Sequence, residues 1–150
     1  MTKAQRLDIA VEPVNICGAE LLPLMAAFAR ENSKTVAWAP PTLEQLQRRE
    51  AAGMQVFALR YEGRMVGFCL ASRVFDGATD GGMFIDPDYR GGIDVLRLVA
   101  YVEAAMRLVG AKWMTWECDE HSGSHVLAER LKYRLQSRRY INVFNEGEAL

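Results

Sequence analysis

Long apolar runs are missing from this chain. No stretch approaches the ~18 uninterrupted apolar residues that cross a bilayer. Charge of one sign is missing as well: 18 Lys+Arg stand against 19 Asp+Glu, a formal net charge of −1. No global basic field therefore draws the protein to nucleic acid or to an anionic membrane, and neither partner is expected. Cysteines number 3, and Cys17, Cys69 and Cys118 lie far apart. Cys69 and Cys118 sit in apolar runs, the habit of small buried hydrophobes rather than of disulfide or zinc pairs. A reducing compartment, the cytoplasm, is the expectation. The opening residues, Met1-Thr2-Lys3-Ala4-Gln5-Arg6-Leu7-Asp8, have no apolar core of a secretion signal. The 2 histidines, His121 and His125, are four residues apart. No glutamate follows the first as in His-Glu-x-x-His, so no metal is expected. Internal repeats, low-complexity tracts and linkers are absent too, which leaves one domain over 1–150.

What is present is globular: half of the residues are hydrophobic and a quarter charged, in a length able to bury a core. Leu7-Asp8-Ile9-Ala10-Val11-Glu12 alternates apolar and polar and predicts a half-buried strand stopped by Pro13. Leu21, Leu24, Met25 and Phe28 recur at helical spacing and predict a helix over 19–30, with Pro23 in its first turn. After Pro40-Pro41, Thr42 and Gln45 form a capping box for a second helix, which Gly53 closes. The period then changes. Strands are predicted over 54–60 and 65–72 around a Tyr61-Glu62-Gly63-Arg64 turn, and a third over 79–85, where Gly81-Gly82 marks a bulge. An amphipathic helix follows over 93–109, striped by Val95, Leu98/Val99, Val102 and Met106 and ended by Gly110. A strand over 113–118, a short helix over 124–132 and a last strand over 139–144 complete the order β-α-α-β-β-β-α-β-α-β. Short turns make the central strands antiparallel. The strand–helix–strand step over 79–118 has the length of a parallel crossover. The expectation is a mixed α/β (α+β) fold, mostly antiparallel, with helices on both faces.

The informative segment is Phe84-Ile85-Asp86-Pro87-Asp88-Tyr89-Arg90-Gly91-Gly92-Ile93-Asp94. A strand passing through two glycines into a helix brings together backbone N–H groups that have no intrahelical partner. With the positive end of the helix dipole, they suit a phosphate or diphosphate. Arg90 adds a fixed positive charge. Neither G-x-x-x-x-G-K-[ST] nor G-x-G-x-x-G occurs, so the nucleoside triphosphate and dinucleotide cradles are excluded. The bland alternative is a plain strand-to-helix turn.

On these residues the chain resembles the GNAT N-acetyltransferase superfamily. The likeness takes in the element order, the strand ending Met83-Phe84-Ile85-Asp86-Pro87-Asp88-Tyr89-Arg90-Gly91, the helix after it, the 113–118 strand and Leu127-Ala128-Glu129-Arg130-Leu131-Lys132-Tyr133. The resemblance implies acetyl-CoA as co-substrate and transfer of its acetyl group to a primary amine on a small molecule or a protein. It implies pantetheine contacts from the main chain of Phe84 and Ile85, and diphosphate contacts from Arg90, Gly91, Gly92, Ile93 and Asp94. The usual loop has one more residue between its glycines, and the shortened Gly-Gly form resembles that of phage-encoded members. Asp94 stands at the last small position, where a carboxylate could cap the helix and take the amides a phosphate would use. Ala128 occupies the place where the family often has a thiolate-protonating tyrosine. Those departures keep a rival reading open, a GNAT-shaped binding or structural module without chemistry, for which a viral source is one option. A homodimer is also left open.

Acetylation of an amine requires removal of a proton. Glu117, flanked by Trp116 and Cys118 near the end of its strand, is one acceptor; the plainer reading makes it a surface glutamate. His121 falls roughly where the family often carries an asparagine near the cofactor arm, and an imidazole exchanges protons near neutrality. Trp38, Trp113 and Trp116 could line an acceptor pocket or serve as sheet packing. The basic run Arg130, Lys132, Arg134, Arg138 and Arg139 could meet a coenzyme's 3′-phosphate or be a solvated face.

Overall fold

The computed structural model describes residues 6–32, 39–90, 93–117 and 123–134. The chain falls into two compact units, Met1–Trp116 and Glu117–Leu150. The first holds a five-stranded sheet in the order β1-β2-β3-β4-β5: β1 Asp8–Val11, β2 Gln55–Tyr61, β3 Arg64–Val74, β4 Gly77–Ile85 and β5 Met114–Thr115. The first four strands pair antiparallel, and β4 pairs β5 in parallel across the crossover helix. Of the second unit, the helix α4, Gly123–Arg130, is described. The predicted strand over 139–144 lies outside the described residues.

β3 is the centre of the sheet, and its residues 65–71 are all buried. A strand covered on both faces reads as a continuous apolar run, as Met65-Val66-Gly67-Phe68-Cys69-Leu70-Ala71 does. On one face α1, Val14–Asn32, and α2, Leu43–Ala51, set Val14, Cys17, Leu21, Met25 and Leu46 against Phe68, Leu70 and Phe84. On the other, α3, Asp94–Leu108, packs Leu98, Val102 and Met106 against Phe57, Leu59, Cys69, Ala71 and Ile85. Burying side chains of this size is worth ~1.5–3 kcal/mol apiece, so these two layers hold the sheet in place.

The start of α1 differs from the pattern-based expectation. It begins at Val14 rather than near residue 19, because Glu50 of α2 supplies a distant cap, its Oε2 accepting from the Val14 N–H at 2.8 Å. Pro23 therefore lies inside the helix and not in its first turn. The α2 capping box forms as read: Thr42 Oγ1 accepts from the Gln45 N–H at 3.2 Å, and Gln45 Oε1 from the Thr42 N–H at 2.9 Å. Glu62 and Gly63 both take positive φ in the β2–β3 turn (48° and 81°), the twist that suits a two-residue hairpin.

One irregularity shapes the rest of the molecule. Leu70 pairs with Gly82 while Ala71 pairs with Asp80, so Gly81 is the extra residue of a bulge in β4. Gly82 sits at φ +123°, a conformation that side chains disfavour, and a Cβ there would stand 3.2 Å from the Phe28 ring. Beyond this kink β4 and β5 part. Their pairing is limited to Ala78 with Met114 and Thr79 with Thr115. The strand expected over 113–118 is accordingly two residues long.

Candidate active site

The open edge of β4 begins where β5 ends. The Phe84 carbonyl faces β3, lying where a Cβ on Gly67 would meet it at 2.8 Å. Antiparallel alternation then turns the main-chain groups of Met83 and Ile85 the other way, onto the uncovered edge. On that edge the Ile85 carbonyl accepts from Arg90 Nε at 2.6 Å. The main-chain groups of Phe84 face β3, and its ring packs with Phe68 at 6.3 Å.

At the far end of β4 the chain makes a 3₁₀ turn, Pro87–Tyr89, whose first N–H groups are held by Asp86; its side chain accepts from the Asp88 N–H at 3.0 Å. Tyr89 packs on Tyr61 at 5.4 Å between ring centroids. Arg90 follows, and three contacts hold it. Its Nε donates to the Ile85 carbonyl at 2.6 Å. Its Nη1 and Nη2 donate to Glu31 at 2.9 and 2.6 Å. Its guanidinium lies over the Phe84 ring, 5.1 Å from the centroid. A guanidinium has five N–H donors, so two remain without a partner among the described residues. Glu31, at the end of α1, has no signal in the sequence, because its partner is fifty-nine residues away.

The expected anion site is partly described. Gly91 and Gly92 lie outside the described residues. Ile93 takes the N-cap position of α3 and makes no side-chain cap, since an apolar side chain has no acceptor. Asp94 does not cap the helix either. It is 5% exposed, and its Oδ1 accepts from the Leu7 N–H at 3.3 Å and from Arg97 Nη1 at 2.5 Å. Arg97 Nη1 also donates to the Leu7 carbonyl at 2.8 Å. The Asp94 carboxylate thus clasps the start of the sheet's edge strand, and only its main chain stays at the helix start. The first-turn amides of α3 carry no side-chain cap, the arrangement that suits an anion.

The β4–β5 fork carries two polar features that the sequence pattern does not mark. Thr115 Oγ1 donates to Thr79 Oγ1 at 3.0 Å across the last β4–β5 pair. Asp80, next along β4, is a buried carboxylate, 8% exposed. Burial, and after it the Asp80 charge, pushes the neighbouring Cys69 thiol up, so Cys69 is a packing residue. Cys17 is likewise pushed up to about 11, chiefly by burial.

Of the expected proton carriers, Glu117 is exposed, and His121 lies outside the described residues. So do Trp38, Cys118, Arg138 and Arg139. Trp113 and Trp116 are tied by their indole N–H groups to Asp76 and Glu103, each at 3.0 Å, which makes them packing elements beside β5. Arg130, Lys132 and Arg134 are exposed. Among the described residues no group of three His, Cys, Asp or Glu could hold a metal ion, and no helix is long and apolar enough to cross a membrane.

Among the described residues, β4 carries a fork with β5, a strand edge with no strand paired to it beyond the fork, and, past the turn at its end, a helix α3 whose N-cap residue makes no side-chain cap. The sequence model of the acetyltransferase (GNAT) family matches residues 21–133. The chain belongs to the GNAT acetyltransferase family. No curated protein sequence matches it. Among solved structures this GNAT chain is similar to a ribosomal-protein-alanine N-acetyltransferase from Brucella melitensis biovar Abortus 2308, with a TM-score of 0.79 at 15% identity, covering 94% of this chain and 99% of the other. It is similar to the aminoglycoside 6′-N-acetyltransferase AAC(6′)-Ih from Acinetobacter baumannii, with a TM-score of 0.66 at 16% identity, covering 95% and 100%. It is similar also to the aminoglycoside N-acetyltransferase AAC(6′)-Iy in complex with CoA, with a TM-score of 0.69 at 17% identity, covering 92% and 99%. At such identities the likeness establishes the fold, mixed α/β with one parallel pair.

Proposed function

We propose that this GNAT chain is an acetyl-CoA-dependent N-acetyltransferase, folded as one catalytic domain, which passes the acetyl group to a primary amine by direct attack within a ternary complex. The observation that carries this reading is the uncovered β4 edge running from the Thr79–Thr115 fork to the uncapped start of α3. Its main-chain groups at Met83 and Ile85 suit an extended amide-bearing arm. Arg90 and the first-turn amides of α3, together with Gly91, Gly92 and Ile93, suit the diphosphate at its end. The coenzyme supplies an activated acetyl thioester. The residues of this chain align the arm along β4, hold its anionic end and keep the thioester at the fork.

Glu117 and His121 are the proposed proton acceptors from the amine. Asp80, buried on β4 beside the fork, is a third group with the chemistry for it. Single substitutions separate them: the acceptor is the group whose loss lowers kcat/KM and removes the acidic limb of the pH–rate profile. A small amine, such as the aminoglycosides named for several similar structures, is the first acceptor class to try, with peptide amines second.

The rival reading, a GNAT-shaped module without chemistry, rests on Ala128 in the place of the usual tyrosine and on the shortened loop. It loses one support, because the Asp94 carboxylate is engaged elsewhere and leaves the α3 amides alone. The deciding experiment has two readouts. Coenzyme A at ~100 times its dissociation constant is expected to add ~2.7 kcal/mol of stability in a thermal melt. Acetyl-CoA with a panel of amines is expected to release free thiol in an amine-dependent manner. No stabilisation at millimolar coenzyme overturns the proposal, and stabilisation without turnover favours the rival.

A further inference from the structure

We propose that the end of the sheet where the β3–β4 hairpin tip meets the α3–β5 corner is a docking surface for an anionic lipid bilayer, with Phe75 and Leu108 as the side chains that enter it. The two loops are fixed to each other. The Lys112 N–H donates to the Asp76 carbonyl at 2.8 Å, and the Trp113 indole N–H donates to Asp76 Oδ1 at 3.0 Å. Arg73 Nη2 donates to the Phe75 carbonyl at 2.9 Å, and Arg73 Nη1 lies 3.6 Å from where a Cβ on Gly110 would stand. Hairpin tip and helix end are braced as one unit.

What this unit presents to solvent is apolar. Phe75 is 93% exposed, Leu108 89%, Val109 49% and Trp113 44%, and apolar side chains gathered on one exposed surface mark a contact site. Side chains as bare as Phe75 and Leu108 stand proud of the fold instead of lining a groove, a shape that a soft bilayer accepts. Phe75 also sits under strain. Val74 pairs with Gly77 across the hairpin, so Phe75 opens a two-residue turn, and its φ is +54°. Glycine or asparagine adopts that left-handed conformation readily and a bulky aromatic does not. Its ring packs on almost nothing, so packing does not explain an aromatic there, and strain of this kind collects where a residue serves a contact.

Charge identifies the partner. Residues 73–77 and 107–113 hold three cations, Arg73, Arg107 and Lys112, against one carboxylate, Asp76. That carboxylate already accepts from the Trp113 indole, while Arg107 and Lys112 are exposed. A net charge of −1 over the whole chain gives no global field, but a basic collar around apolar tips acts locally, within the Debye length of about 8 Å at physiological salt. Long basic side chains can reach the headgroups while Phe75 and Leu108 sit below them, and an indole suits the boundary between. The same collar opposes a second copy on this face, because a two-fold axis would set cations against cations. The contact is peripheral: no helix among the described residues is long and apolar enough to cross a membrane.

The test is co-sedimentation of the full chain with vesicles of phosphatidylcholine, and of phosphatidylcholine mixed with phosphatidylglycerol. The wild-type protein is expected to partition onto the anionic vesicles at least about tenfold more strongly than onto the neutral ones, and the preference should fade as salt rises. Phe75→Asn is expected to weaken partition onto anionic vesicles about tenfold or more, the loss of one buried aromatic. Its melting temperature should hold or rise, because asparagine suits the left-handed turn. Arg107→Gln/Lys112→Gln is expected to weaken binding to anionic vesicles about five- to thirtyfold and to leave neutral vesicles unchanged. Leu108→Ser, at an exposed helix end, repeats the apolar loss and serves if Phe75→Asn does not fold. No partition of the wild-type protein onto anionic vesicles overturns the proposal, as does partition that none of these substitutions weakens. Self-association of the wild-type chain in light scattering, lost in Phe75→Asn and without vesicle binding, also overturns it and assigns the tip to a second copy.

Discussion

Two arginines in this molecule grip carboxylates with both arms of the guanidinium, and they do different work. Arg60 on β2 takes Glu12 at 2.8 and 2.7 Å, Glu20 at 2.9 and 3.1 Å and the Gly63 carbonyl at 2.7 Å. Its side chain is 20% exposed and that of Glu12 16%. Glu20 also accepts from the Met65 N–H at 2.9 Å. One guanidinium thus ties the end of β1, the helix α1, the β2–β3 turn and the start of β3. Arg90 has a single carboxylate partner, Glu31, and the pair is 38% and 47% exposed. It ends the turn that leaves β4, and two of its donors have no partner among the described residues. A cation whose donors are nearly all used, away from solvent, serves to hold a fold. A half-exposed cation with donors in reserve is suited to exchange one anion for another.

Substitutions that separate stability from ligand affinity test this contrast. Arg60→Ala strands two carboxylates in a partly buried site, and urea denaturation is expected to show a loss of about 2–4 kcal/mol. Among the variants here this is the largest effect on folding, and coenzyme affinity measured in the same preparation should hardly move. Arg90→Ala is expected to reverse the pattern. On the proposed role, removing charge-assisted bonds to a diphosphate, worth about 1.5–3 kcal/mol, weakens coenzyme A binding roughly ten- to a hundredfold, while the melting temperature stays within a degree or two. A large stability loss in this variant would erase the distinction between the two arginines.

Glu31→Gln sharpens the comparison further. With the competing carboxylate neutral, Arg90 is expected to bind coenzyme A about two- to fivefold more tightly at low salt, and the gain should fade as salt screens the exposed pair. Weaker binding would mean that Glu31 aims Arg90 rather than competing for it. The smallest effect concerns acid. The Met65 N–H, and after it the Arg60 guanidinium, hold the Glu20 carboxyl below its ordinary value of 4.5. A depressed carboxyl stabilises the fold above the unfolded-state pKa, and that contribution is lost as pH falls through the folded-state value. Below about pH 4.5 the wild-type protein should therefore lose stability faster than Glu20→Gln, by a modest amount because Glu20 is exposed to solvent. Parallel melts of the two proteins between pH 5 and 3 check it.

Local signals in the chain were read correctly where their cause was local. Thr42 and Gln45 cap α2 because they are three residues apart. Glu62-Gly63 turns a hairpin because positive φ is available there. Gly81-Gly82 kinks β4 because glycine alone tolerates the geometry. Reading failed where the partner was distant in sequence. The first turn of α1 depends on Glu50, thirty-six residues on. The brevity of β5 depends on a bulge in another strand, and Asp94 turns from its own helix to Leu7, eighty-seven residues away. At the candidate site, the turn at Arg90 and the start of α3 were legible from strand-to-helix chemistry, whereas Phe84 and Ile85 came from the family resemblance. Glu31, Thr79 and Thr115 were not legible, because what marks them is which face, helix or opposing strand each one meets.

The amino-acid sequence by itself determined the order of the described elements, the antiparallel centre, the bulge and the strand-to-helix turn after β4, since propensity, period and glycine placement act over a few residues. Which arginine is saturated, where the two parallel strands part and what stands at the bottom of the gap were decided only in three dimensions. A hydrogen bond between side chains dozens of residues apart leaves no trace in either one's neighbours along the chain, and it forms only once the packed layers have brought them within 3 Å.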